Sequence, residues 1–202
     1  MRISRGIPTN KGTTMKVQRI LIGCAMSLAC GAAALAAEAP AAPKPGPEHQ
    51  KLGYFVGKWT SKGEMKASPY GPGGKLTSHD KCEWFDGKFA VVCRSTGTGP
   101  TGPSKSLGIL GYSAEEKAYT YYGVDNTAMT QTTVPKGTIE GDTWTYNDES
   151  KMGGNMVKSR YVIKIVSPTA YTFKYEMQGE GGVWNTVVEG TETKEAKKAA
   201  EK

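Results

Sequence analysis

From residue 57 onward the chain alternates apolar and polar positions with a period of two. In the stretch 170–177, Tyr171, Phe173, Tyr175 and Met177 fall on one side, and Thr172, Lys174 and Glu176 on the other. Tyr161, Ile163 and Ile165 oppose Arg160 and Lys164 in the same way. Successive side chains of a strand point to opposite faces, so this is the pattern of half-buried strands. Ten such segments can be drawn, at roughly 57–66, 75–85, 89–97, 105–112, 118–124, 128–139, 143–148, 156–166, 170–178 and 183–193. Between them lie turn residues with a mechanism. Asp86-Gly87, Glu140-Gly141-Asp142 and the run Gly179 to Gly182 offer positive φ without a side-chain clash, and Pro168 has no N–H to continue a ladder. The Gly/Pro-rich stretch "GTGPTGPSK", 97–105, reads as the one long loop and a mobile rim.

Connections this short make consecutive strands neighbours, which is a meander. A sheet with one greasy face must bury it. Ten antiparallel strands with almost no helix can do so by closing on themselves. The expected fold is therefore all-β: an antiparallel meander closed into a barrel of about ten strands. The segment "HQKLGYFVGKWTSKGEM", 49–65, fits as its stopper. Leu52, Tyr54, Phe55 and Val56 make one apolar helical turn with no partner helix, so the turn packs on the barrel as a short N-terminal plug. Gly57 ends the turn, and Trp59 points inward to fill the closed end.

Charge changes the picture less than its total suggests. The formal net charge is +7, but residues 1–36 hold five of the 26 basic residues (Arg2, Arg5, Lys11, Lys16, Arg19) and no acidic ones. The remainder carries 21 basic against 19 acidic residues, a net +2, with no concentrated basic-aromatic interleaving of the kind nucleic acid requires. Lys16 and Arg19, the apolar run from Ile20 to Ala36, and Ala34-Leu35-Ala36 as a cleavage site read as a secretory signal, with Met1 or Met15 as the start. Leu21-Ile22-Gly23-Cys24 has the look of a lipoprotein box, but Ile20 to Gly23 is too short an apolar core to precede it. The expected organisation is a signal over 1–36, an Ala/Pro-rich linker over 37–48, a barrel domain over 49–194 and a flexible charged tail over 195–202. The mature protein is then periplasmic or secreted and meets the membrane only through the signal segment before cleavage.

Export removes Cys24 and Cys30 and leaves Cys82 and Cys93 in an oxidising compartment, where two thiols pair. A strict two-residue turn at Asp86-Gly87 would set the cysteines on a diagonal, too far apart to bridge easily. A four-residue loop from Asp86 to Phe89 places them directly opposite. The alternatives are a disulfide and two packed free thiols on the Trp84 side of the sheet.

A helical turn followed by Gly57-Lys58-Trp59 in the first strand resembles the Gly-x-Trp signature of lipocalins and related calycin barrels. The stretches "CEWFDGKFAVVC", "SLGILGYSAEEKAYTYYGVD", "GTIEGDTWTY", "RYVIKI", "YTFKYEM" and "GGVWNTVVEG" extend the likeness over nearly the whole mature chain. Together they resemble the secreted bacterial, lipocalin-like domain-of-unknown-function family 1579. That resemblance implies a calycin-type barrel and brings no assigned activity. In lipocalins a basic residue of a late strand stacks on the signature tryptophan. The resemblance therefore implies a place over Trp59 for Arg160, worth about 0.5 to 2 kcal/mol as a cation–π contact. Alternation with Tyr161 reads Arg160 instead as a solvated strand residue, and both readings stand.

Chemistry-bearing patterns are sparse. The two histidines, His49 and His79, lie apart and form no zinc-ligand spacing, so no metal site is expected. Related haem-binding barrels use a late-strand histidine, and none follows residue 79, so no cofactor is expected. Nucleophile, base and orienting group do not assemble around any serine or threonine, and "YGPGG" and "KMGGN" lack the following helix that a phosphate cradle needs. No catalytic residue is assigned.

Aromatic content remains. Trp59, Trp84, Tyr121, Tyr171 and Tyr175, with Arg160, are the candidate lining of a ligand cavity, unless the rings simply fill the interior. Three functions follow. The first is an exported barrel that binds a small apolar or amphipathic molecule. The second is a structural or protein-interaction module of the cell envelope, and the third an isomerase- or cyclase-type barrel enzyme, which requires polar groups converging inside. The sequence leaves the ligand and the oligomeric state open.

Overall fold

The computed structural model describes residues 42–68, 71–126 and 131–196. Ten antiparallel strands close into a barrel in simple sequence order: β1 (Gly57–Met65), β2 (Gly74–Trp84), β3 (Ala90–Gly99), β4 (Gly102–Ser113), β5 (Ala118–Asp125), β6 (Lys136–Glu140), β7 (Thr143–Met152), β8 (Asn155–Ser167), β9 (Ala170–Gln178) and β10 (Trp184–Lys194). Pairing of β1 with β10, from Trp59↔Lys194 to Met65↔Val188, makes the closure.

The predicted segments are recovered, β7 running four residues past its expected end at 148, with two larger differences. Residues 97–105 are no loop: β3 and β4 pair out to Gly99↔Gly102, with only Pro100 and Thr101 between them. Gly97 marks a close backbone approach, since a Cβ there would run into the Thr77 carbonyl oxygen, while Gly102, at φ +103°, serves the tight turn. The sixth segment is shorter than drawn. β6 begins at Lys136 and joins β5 through only two residue pairs, Tyr119↔Gly137 and Thr120↔Lys136. Residues 127–130 of that expected strand lie outside the described residues.

The stopper is present. Helix α1 (Pro47–Lys51) opens with proline at its first turn, where a missing N–H costs nothing, and begins two residues inside the stretch read as linker. It passes into a 3-10 turn over Leu52–Phe55. Leu52 and Phe55 are buried in the core cluster with Trp59, Val91, Tyr119, Trp144 and Tyr146. The Phe55 carbonyl accepts a 2.7 Å hydrogen bond from the Trp59 indole N–H. Rings interlock around it: Phe55 meets Trp144 edge-on at 5.1 Å, and Trp59 meets Tyr171 at 5.1 Å. The Tyr54 hydroxyl reaches the carbonyls of Ser167 and Ala170 at 2.9 and 3.0 Å, and the Tyr119 hydroxyl donates to the Glu48 carboxylate. Gly57, at φ +139°, turns the chain from plug to strand beside the Lys194 side chain, a conformation other residues rarely adopt.

Candidate functional site

The barrel is not solid. A cavity of about 240 Å³ lies beyond Phe55 and Trp59, and its two halves differ in chemistry. Tyr121, Tyr161, Ile163, Tyr171 and Phe173 project from β5, β8 and β9. Facing them, β1 to β4 contribute Ser61, Ser78, Asp80, Ser95 and Ser106. Register explains the polar half. Trp59, Asp80, Ser95 and Ser106 are cross-strand partners in one row, and Glu192, Ser61 and Ser78 form the next.

Asp80 and Glu192 therefore stand one on each side of β1, with the small Ser61 side chain between the strands that carry them. Ser78 Oγ donates to Asp80 at 3.2 to 3.3 Å from its two carboxylate oxygens. Glu192 is only 6% exposed. Its Oε2 is buried and, among the described residues, has no hydrogen-bond partner. Burial first, and then the Asp80 carboxylate close by, push the Glu192 carboxyl up to about 8, while the Ser61 hydroxyl acts the other way. Burial also holds the phenols of Tyr121, Tyr161 and Tyr171 above their ordinary range, so at neutral pH they are neutral donors. Among the described residues that line the cavity there is no lysine, arginine or histidine.

Of the residues expected at a ligand site, Trp59, Tyr121 and Tyr171 line the cavity together. Trp84 faces the plug: a Cβ at Gly53 would lie 3.2 Å from its ring. Tyr175 belongs to the same inner row as Tyr171 and Phe173 and pairs with Tyr161, but it is outside the cavity lining. Arg160 is on the outer wall, its guanidinium 4.4 Å over the Trp184 ring and its Nε donating to Glu176 at 2.6 Å. The cation over Trp59 is instead Lys194, whose ammonium lies 4.7 Å from the ring centroid and donates to the Tyr54 carbonyl at 3.0 Å. A position on β10 directly opposite Trp59 does what the late-strand arginine was expected to do.

Cys82 and Cys93 are directly opposed and disulfide-bonded, and both line the cavity. A short 3-10 turn over Asp86–Lys88, with Phe85 N–H bonded to the Ala90 carbonyl, supplies the four-residue loop that this register needs. Among the described residues no group of three or more His, Cys, Asp or Glu side chains could hold a metal ion, and no helix is long and apolar enough to cross a membrane. The expected signal segment lies outside the described residues.

Asp80, Glu192 and the serines had escaped the sequence reading, which sorted polar residues to the outer face. Their signal was parity. Ser78 and Asp80 share the phase of Cys82 and Trp84 along β2.

Comparison with known proteins agrees with the architecture. The structure of Rv2717c from M. tuberculosis matches with a TM-score of 0.54 at 13% identity, over 75% of this chain and 99% of that one. An S-type phycobiliprotein lyase, CPES from Guillardia theta, matches with a TM-score of 0.51 at 12% identity, over 75% of this chain and 94% of that one. At such identities the likeness is one of fold. No curated protein matches. The model of the family described as protein of unknown function (DUF1579) matches residues 44–194, from before the plug to the end of β10, and the chain belongs to that family.

Proposed function

We propose that the protein is an exported carrier that holds a small amphipathic molecule inside its barrel. The observation behind this reading is the cavity of about 240 Å³ between an aromatic wall and a hydroxyl- and carboxyl-bearing one. Apolar walls with a few placed polar groups are the general make-up of small-molecule sites. Its size, room for roughly eight waters at their share of the liquid, suits a ligand smaller than a drug. Export is supported by the basic and apolar run ending at Ala36 and by the disulfide, a bond that persists in oxidising compartments. Native mass spectrometry of protein recovered from its own periplasm tests both parts. A mature mass starting near Ala37, with an adduct lost on denaturation, is the expected result. An uncleaved chain removes the export claim, and a bare mass combined with no uptake of added small molecules removes the carrier.

One observation favours a second reading. Asp80 and Glu192 converge in the cavity, as an isomerase or cyclase would require, and a carboxyl held near 8 can both give and take a proton at neutral pH. Turnover of a cavity-bound compound that disappears in Glu192→Gln, with binding retained, would replace the carrier by the enzyme.

A further inference from the structure

We propose that the cavity selects a small primary amine, its ammonium seated between Asp80 and Glu192 and its apolar body lying against Trp59, Tyr161 and Tyr171. The inference rests on the reading of the cavity as a ligand site and names the chemistry of the occupant. Charge is the first argument. Among the described residues that line the cavity two carry carboxyl groups, and none is basic. A carboxylate ligand would set a further acid beside Asp80 and Glu192, and a neutral hydrocarbon would offer the buried Glu192 Oε2 no donor.

Hydrogen bonding is the second. Glu192 is 6% exposed, and its buried Oε2 has no partner among the described residues. An orphaned buried acceptor is costly, and a native structure keeps one for a reason. An ammonium has three donors and no acceptor. The wall facing it offers acceptors only a strand apart: Glu192 Oε2, the Asp80 carboxylate already bonded by Ser78, and the Ser61 hydroxyl beneath them. Aromatic faces are the third. Trp59, Tyr161 and Tyr171 stand around the same space, and the face of an aromatic ring attracts a cation. Trp59 already accepts one such contact from Lys194, whose ammonium is committed to the plug through the Tyr54 carbonyl.

Binding is then coupled to a proton. The groups facing Glu192 are Asp80 from β2, the phenols of Tyr161 and Tyr171 from β8 and β9, and Ser61 from β1, with Tyr121 from β5 elsewhere in the same lining and Lys194 two residues along β10. The phenols stay protonated through neutral pH. A bound ammonium favours the ionised Glu192, so the carboxyl proton leaves as the amine enters and affinity rises with pH until Glu192 is ionised in the free protein.

The test is isothermal titration of the disulfide-intact full chain with phenethylamine, 2-phenylethanol and phenylacetate, which differ only in the polar end. The amine should bind at least about tenfold more tightly than the alcohol, and phenylacetate least. Amine affinity should rise by more than about tenfold between pH 6 and pH 8, with proton release measurable in buffers of different ionisation enthalpy. Glu192→Gln should lose about tenfold in amine affinity and the pH slope, and Asp80→Asn, a second route should the first variant fail to fold, should weaken the amine likewise. Equal binding of amine and alcohol, tightest binding of phenylacetate, or undiminished amine affinity in folded Glu192→Gln or Asp80→Asn would overturn the amine and leave the ligand cavity standing. Binding of none of the three to the folded protein would overturn both.

Discussion

Replacing Glu192 by glutamine should make the protein more stable in mild base and remove most of its pH dependence there. The carboxyl ionises near its ordinary 4.5 in the unfolded chain but at about 8 inside the barrel. A carboxyl raised on folding binds more protons in the native state across that window, so its contribution is complete below the unfolded value and is lost as pH rises through the folded one. Each pH unit of difference corresponds to about 1.4 kcal/mol, so the interval sets a loss of at most about 5 kcal/mol between pH 4.5 and pH 8. Glutamine keeps the shape and stays neutral. Urea unfolding with the disulfide intact, at half-unit steps from pH 5 to pH 9, gives the difference between variant and parent, in which titrating groups that do not interact with Glu192 cancel. That difference should grow steadily in favour of the variant as pH rises and level off above pH 8. A difference that stays constant over the range would mean that Glu192 is solvated like a surface carboxylate, and its burial beside Asp80 would have to be abandoned.

Removing the plug ring in Phe55→Ala should cost about 3 to 5 kcal/mol, as for other buried aromatic truncations, and lower the melting temperature measured by circular dichroism by about 10 °C. Cys82→Ser/Cys93→Ser, which opens a loop spanning 11 residues, should lose about 3 kcal/mol in calorimetry under non-reducing conditions, whereas dithiothreitol should leave that variant's melting unchanged. A Cβ at Gly137 would lie 2.6 Å from the Tyr146 ring, so Gly137→Ala should destabilise by about 1 to 3 kcal/mol and shift the tyrosine fluorescence of the barrel. Tyr119→Phe deletes the hydroxyl that holds Glu48 and should loosen α1, seen as faster amide exchange over 47–55 with the strands unaffected.

Alternation and turn chemistry were enough to draw the barrel because each strand has one wet and one greasy side, and Gly87, Gly141 and Gly181 take the positive φ their turns require. The same logic concealed the site. It places charged residues outside, so Asp80 was passed over although it shares a face with Cys82 and Trp84. Glu192 was harder still. A register shift between Thr186 and Val188 changes the phase of β10, and counting in twos from Trp184 puts Glu192 on the wrong face. Arg160 went astray for the opposite reason. Likeness to lipocalins implied a place over Trp59, whereas its own alternation with Tyr161 placed it outside, and the local pattern prevailed.

The unequal walls of the barrel have an evolutionary consequence. Hydrophobic burial is concentrated in the plug and in the aromatic half, while the serines of β1 to β4 contribute little to it. Exchanges at Ser95 or Ser106 can therefore resize or re-polarise the cavity at small risk to folding, and descendants of one scaffold are free to vary its interior along that side alone.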